Sequence, residues 1–122
     1  MIQQDNLWFE ECFDAAHQFM GILDESGRII RANQAALEFT GLTQADFTDI
    51  PLWLIPWPVL KRQNRQMLKR VVSQAVAGIS NRNELKIRLD RKTEKIIELS
   101  IKPIRNEAGQ LKFLFVEGRD IT

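Results

Sequence analysis

Residues Ile22–Gly41 read ILDESGRIIRANQAALEFTG, and the order of residue types in this stretch decides the fold. Phe19 to Asp24 is short and apolar, which predicts a strand. Glu25-Ser26-Gly27 is turn chemistry, with Gly27 free to take a positive φ. Arg28 to Ala32 is the returning strand. Asn33 has the short side-chain acceptor that caps a helix start, and the helix carries Ala36, Leu37 and Phe39. Gly41 stands where a left-handed residue closes a helix.

Upstream, Trp8, Phe9, Cys12, Phe13 and Ala16 recur at helical spacing. Asp5 or Asn6 is the expected cap of that helix, which should run through Ala16. Glu10, Glu11 and Asp14 occupy its other side, and Cys12 is expected to be a small buried hydrophobe. Downstream, Thr43 and Asp46 form a near capping box for another short helix. Residues 51–58, PLWLIPWP, hold three prolines that deny a long helix. A long helix is predicted from Val59 to Ala77, with an apolar face of Leu60, Met67, Leu68, Val71, Val72, Ala75, Val76 and Ile79.

The remainder alternates. Leu85, Ile87 and Leu89 interleave with Lys86, Arg88 and Asp90, and Ile97, Leu99 and Ile101 interleave with Glu98, Ser100 and Lys102. Asn106 to Gly109 is a turn before a last strand, Leu111 to Gly118. That strand is apolar on both faces: Phe113 and Phe115 on one, Leu114 and Val116 on the other. Both faces therefore need cover, the outer one from the N-terminal helix or a second copy. The class is α+β: a five-stranded antiparallel sheet with short helices and one long helix on one face, plus an N-terminal helix.

At 122 residues, the chain is expected to be a single domain, with 1–17 a flanking helix and 18–122 the core. One cysteine excludes an internal disulfide and any CxxC motif. No signal peptide and no membrane-length apolar run are read, so the chain is expected to be soluble and cytoplasmic, with no membrane contact. A net charge of +1 argues against nucleic acid as a partner. Residues 1–50 carry nine acids and two bases, and the rest carry seven acids and fifteen bases. The expectation is that these opposite charges face each other within the fold.

Asp24, Gly27, Asn33, Ala36 and Gly41, with the ending Asp120-Ile121-Thr122, give the chain a pattern that resembles the PAS domain, over roughly residues 10–122. The resemblance implies a sensory module of a larger, bacterial signalling protein, such as a histidine kinase or a cyclic-dinucleotide enzyme. It implies that Asp120, Ile121 and Thr122 pass into a C-terminal output domain. Asp49 departs from the family, many of whose members have glycine there.

The family's cofactors find little in these residues. A haem-binding member uses a His on the long helix, and Val59 to Ile79 has none; His17, the single His, precedes the first strand. A photoactive flavin member needs a Cys in the region matching Trp53 to Trp57, which has none, and Gly118 falls where its flavin-bonding Gln is expected. The cofactor is thus unknown, with a non-covalent flavin stacked on Trp53 and Trp57, or a small metabolite, left open.

The ligand-pocket candidates are Trp53, Trp57, Asn64, Met67, Val71, Leu99, Ile101 and Val116. Asn64 interrupts the apolar line of the long helix, and a backbone group is its expected partner ahead of a ligand. Arg62, Arg65, Lys69 and Arg70 read as a solvated basic face. No nucleophile–base set, phosphate loop or metal-spaced cluster is present, so no catalytic or metal residue is expected and any enzymatic output belongs to another domain. The alternative function is a ligand-free interaction module, a homodimer through Trp8, Phe9, Phe13, Phe113 and Phe115.

Overall fold

The computed structural model describes residues 2–122, with side chains from Trp8 onward. Its elements are α1 (Ile2–Ala15), β1 (Phe19–Leu23), β2 (Ile29–Ala32), α2 (Gln34–Thr40), α3 (Gln44–Phe47), a 3-10 turn (Leu52–Leu54), α4 (Arg62–Val76), β3 (Asn81–Arg88), β4 (Glu94–Arg105) and β5 (Leu111–Asp120). The five strands form one antiparallel sheet in the order 2-1-5-4-3. The last strand is central, so both its edges are paired, and the two N-terminal strands close one side of the sheet.

Local chemistry sets each boundary in the opening stretch. Gly27 takes φ +87°, and a Cβ there would stand 2.8 Å from both Trp53 and Val72, so the turn needs glycine for conformation and for close approach. Asp24 Oδ1 accepts from the backbone N–H groups of Ser26 and Arg28 and closes the loop. Gly41 closes α2 at φ 74°, its N–H donating to the Leu37 carbonyl. Thr43 and Asp46 form the full capping box of α3, with Asp doing the work of the usual Glu.

Asn33 is the only fully buried polar side chain among the described residues. Its Oδ1 accepts from Met20 N–H at 2.9 Å and Ala36 N–H at 3.1 Å. Its Nδ2 donates to the carbonyls of Phe13 at 3.0 Å and Gln18 at 2.9 Å. The cap of α2 therefore also ties down the end of α1 and the start of β1. Arg31 adds to this on the surface, pairing with Glu10 at 2.7 Å and Asp14 at 2.8 Å.

The core lies between the inner sheet face and α4. Leu68, Val71, Val72 and Ala75 of α4 are buried, as are Ile87, Ile101 and Leu114 of the sheet. Each such aliphatic side chain contributes about 1.5–3 kcal/mol when removed from water, which outweighs the weak helix propensity of the paired valines.

Several expectations are corrected. The long helix starts at Arg62, not Val59: Leu60 N–H closes a turn on the Trp57 carbonyl, and Lys61 is extended at φ −89°. Leu60 thus enters the core from the loop rather than from the helix face. Val76 and Ile79 are exposed: the buried side of the helix is set by Leu68, Val71, Val72 and Ala75, Val76 is its last residue, and Ile79 lies beyond the stop at Gly78, φ 91°. The first helix begins at Ile2 and ends at Ala15, so Asp5 and Asn6 fall inside it; their side chains lie outside the described residues. Cys12 is exposed, because only the Phe13 side of α1 is docked. Asp49 takes φ 64°, the left-handed conformation that glycine would take without strain. Its carbonyl accepts from Arg28 Nη1 at 2.8 Å, which holds it there. The opposite charges of the two halves do not face each other: among the described residues every ion pair joins groups within 1–50 or within 51–122.

Replacing Asn33 by Ala strands four backbone groups that this side chain satisfies. The expected loss is about 3 kcal/mol or more, read as a fall in urea midpoint at unchanged m-value. A loss under about 1 kcal/mol would mean the three elements are held together by packing alone.

Candidate functional site

Between the inner sheet face and the α2–α4 segment lies an apolar cavity of about 110 Å³. Leu23, Ile97, Leu99 and Val116 line it from the sheet, and Ala36, Phe39, Phe47, Ile55, Trp57, Leu60 and Leu68 from the helices and the proline-rich loop. Phe19 and Phe39 stack with ring centroids 4.6 Å apart, and Phe39 meets Trp57 edge-on at 5.6 Å. Thr40 also lines it, yet its Oγ1 donates to the Ala36 carbonyl at 2.8 Å, so the exposed wall is apolar.

Two glycines of the inner sheet face make the room. Gly118 is the cross-strand partner of Phe19 and Leu99. A Cβ there would stand 3.3 Å from Ile97 and 3.4 Å from Leu99 and Phe19, against the cavity wall. Gly21 is roomier, with a Cβ 3.6 Å from the Arg31 carbonyl and 3.8 Å from Val116.

The loop wall is held by a residue that reads as solvated. Arg65 donates from Nη1 to the carbonyls of Trp53 at 3.0 Å and Ile55 at 2.9 Å, and from Nη2 to that of Trp57 at 3.2 Å. The prolines leave this segment without a regular ladder, so its carbonyls take the guanidinium fork instead. Arg65 is half-buried, which corrects its place on the basic face.

Of the expected pocket residues, Trp57, Leu99 and Val116 stand in the cavity wall. Val71 and Ile101 are buried in the core outside that wall. Trp53 packs on the Gly27 turn and carries Lys69 Nζ 5.7 Å above its ring. Met67 packs half-buried against the core. Asn64 accepts from Lys61 N–H and donates to the Lys86 carbonyl, so its partners are backbone groups. The rest of the wall was missed for two reasons: part comes from the irregular Phe47–Leu60 segment and from small residues, and part, such as Phe19, Leu23, Phe39, Leu68 and Ile97, from regular elements whose inward side is shared with the core.

The donor chemistry does not suit the family's large cofactors. His17 lies on the surface, and the cavity wall holds no imidazole or thiol for an iron or a flavin adduct. A non-covalent flavin needs partners for its polar ring edge, and this wall has none. Trp53 and Trp57 are also split between two sites, so they do not form one stacking platform. Among the described residues, no group of three or more His, Cys, Asp or Glu could hold a metal.

The candidate interface residues divide. Phe13 is 3% exposed and held within its own chain, under the Arg31 guanidinium 5.6 Å from its ring. Trp8 is 71% and Phe9 50% exposed, and Phe113 and Phe115 are half-buried on the outer sheet face.

The chain's last three residues are clasped to β4. Thr122 Oγ1 donates to Asp120 Oδ1 and accepts from Ile96 N–H at 2.9 Å, while Ile121 N–H donates to the Ile96 carbonyl. The Thr122 hydroxyl first and then its backbone N–H hold the Asp120 carboxyl below the ordinary 3.8; burial opposes them, and Lys95 adds a smaller lowering effect.

A family model described as "PAS fold" matches residues 13–122. The sensor histidine kinase TmoS of Ectopseudomonas mendocina is 33% identical over 112 residues, which cover 90% of this chain and 12% of that protein. Hybrid signal transduction histidine kinase D of Dictyostelium discoideum is 32% identical over 111 residues, 89% of this chain and 7% of that protein. The chain thus spans a small part of these relatives. Among solved structures, the PAS domain of Bordetella pertussis BvgS superposes with a TM-score of 0.77 at 16% identity, covering 98% of this chain and 88% of that one. Among the described residues, no helix is long and apolar enough to cross a membrane.

Arg65→Ala is expected to lower stability by about 1.5–3 kcal/mol in urea unfolding, and Arg65→Lys to recover little, since an ammonium cannot span three carbonyls. A lysine variant as stable as the parent would remove the fork from the argument. Because the Asp120 pKa is depressed in the fold, its contribution is complete above 3.8 and is lost as pH falls through the lower folded value. Amide exchange at Ile121, corrected for intrinsic rate, should accelerate in that acid range, and Asp120→Asn should abolish the acceleration.

Proposed function

The chain belongs to the PAS family, and on that premise we propose that it is a sensory module of a larger signalling protein, in which occupancy of the apolar cavity alters the clasped C-terminal end. One observation carries this reading. Ile97 lines the cavity and is the cross-strand partner of Asp120, while Leu99, also in the wall, pairs with Gly118. A ligand pressing on this part of the sheet would act one ladder step from the residues that lead onward. Both named relatives are histidine kinases, which favours a kinase over a cyclic-dinucleotide enzyme as the parent's output.

Ala36→Leu fills the cavity from α2 and imitates a ligand. In the purified chain it should change amide exchange at Ile121 and Ile96 at least severalfold while the fold is retained. Unchanged exchange at both would sink the coupling.

A second reading rests on the exposed Trp8 and Phe9: a homodimer module joined through α1 and the outer sheet face. Phe13 is the wrong probe, being buried in its own chain. Sedimentation of Phe9→Glu should show a monomer where the parent sediments as a dimer. A parent that is monomeric at high concentration dismisses this reading.

A further inference from the structure

Resting on the sensory reading above, we infer that the cavity takes a small uncharged hydrocarbon of about one ring, and that Gly21 and Gly118 set its size limit. The wall is apolar, and the Thr40 hydroxyl is committed to the Ala36 carbonyl. A ligand hydroxyl or carboxylate would be stripped of water and given no partner. An apolar cavity of about 150 Å³ stays dry and binds benzene. The present 110 Å³ is slightly smaller, so a single ring fills it with modest yielding of the wall. Phe19, Phe39 and Trp57 already meet in stacked and edge-on contacts, and an aromatic guest extends that arrangement.

Size selection falls to the glycines. Any side chain at Gly118 presses on Ile97, Leu99 and Phe19. At Gly21 one methyl fits without displacing a neighbour, so Gly21→Ala narrows the cavity and leaves the fold intact.

The experiment titrates the purified chain with benzene, cyclohexane, phenol and benzoate, following methyl resonances of Ile97, Leu99 and Val116 and amide exchange at Ile121. Benzene and cyclohexane should shift the methyls, phenol should bind about tenfold more weakly or worse, and benzoate should not bind. Gly21→Ala should weaken benzene at least about fivefold and Ala36→Leu should abolish it. Phenol or benzoate binding as tightly as benzene overturns the inference, as does no benzene binding up to its solubility, or benzene affinity untouched by both variants. The two readings separate at Ile121. Benzene binding without a change in exchange there sustains the ligand class and sinks the sensory reading; a polar ligand that changes the exchange does the reverse.

Discussion

The fold hangs on one side chain. Asn33 has two donors and two acceptor sites, and all four are used, on α1, β1, α2 and the link before β1. No apolar residue could replace it, because the groups it satisfies are main-chain atoms brought out of water by the approach of α1 to the sheet edge. Each partner lies in a different element, so the amide works as a joint as well as a cap. It also makes β1 continuous with the cavity. Met20 N–H is fixed by Asn33, and Phe19 and Leu23 on the same strand face inward against the aromatic row and the core.

The cavity exists because two demands conflict. The inner sheet face asks for cover, and α4 gives most of it over β3 and β4 and part of it over β5, through Leu68, Val71, Val72 and Ala75. Over β1 the cover comes from α2 and the proline-rich loop, and that loop cannot pack with helical regularity. Arg65 holds that loop at a set distance through three carbonyls, and the loop therefore does not collapse into the space left by Gly21 and Gly118. A void of this kind lowers stability relative to a filled core.

Legibility from sequence followed the range of the interaction. The Asn33 cap on Ala36, Gly27, Gly41 and the Thr43–Asp46 box act within a few residues and were readable, as were the alternating strands; the three bonds of Asn33 to Phe13, Gln18 and Met20 were not. The five-stranded antiparallel class followed from those strands and the family pattern, whereas the strand order 2-1-5-4-3 came with the structure. What escaped was set by tertiary partners. Arg65 is an ordinary basic helix residue until the loop carbonyls arrive beside it. Cys12 and Phe13 share an apolar stripe, yet only Phe13 reaches the docked side. The opposite charges of the two halves predicted pairing between them, but each half meets its own counter-ions, between α1 and β2 in the first and across the hairpins of the sheet in the second. Of the wall, Trp57, Leu99 and Val116 stood out as large or alternating residues; Gly118 and Ala36 stood out only through the family pattern and Gly21 not at all, since a cavity is made by what is small.

Energetics limit how such a cavity can signal. A hydrocarbon of about six carbons gains at most about 1.5 kcal/mol per atom, roughly 9 kcal/mol in all. Moving a two-state equilibrium from 1:99 to 99:1 requires about 5.5 kcal/mol of difference in binding between the states. More than half of the largest attainable affinity would have to be specific to one state, which dispersion contacts with a yielding wall do not supply. A workable switch therefore has states that lie close in energy before ligand arrives, with the ligand adding the last step. The clasp at Asp120 suits that requirement: it is exposed, made of a few hydrogen bonds and one ion pair, and joined to the cavity wall by the Ile97–Asp120 pair of the ladder. On the proposed reading, a weak lock beside a weak ligand site would be a matched pair, whereas a deeply buried lock would be out of the ligand's reach.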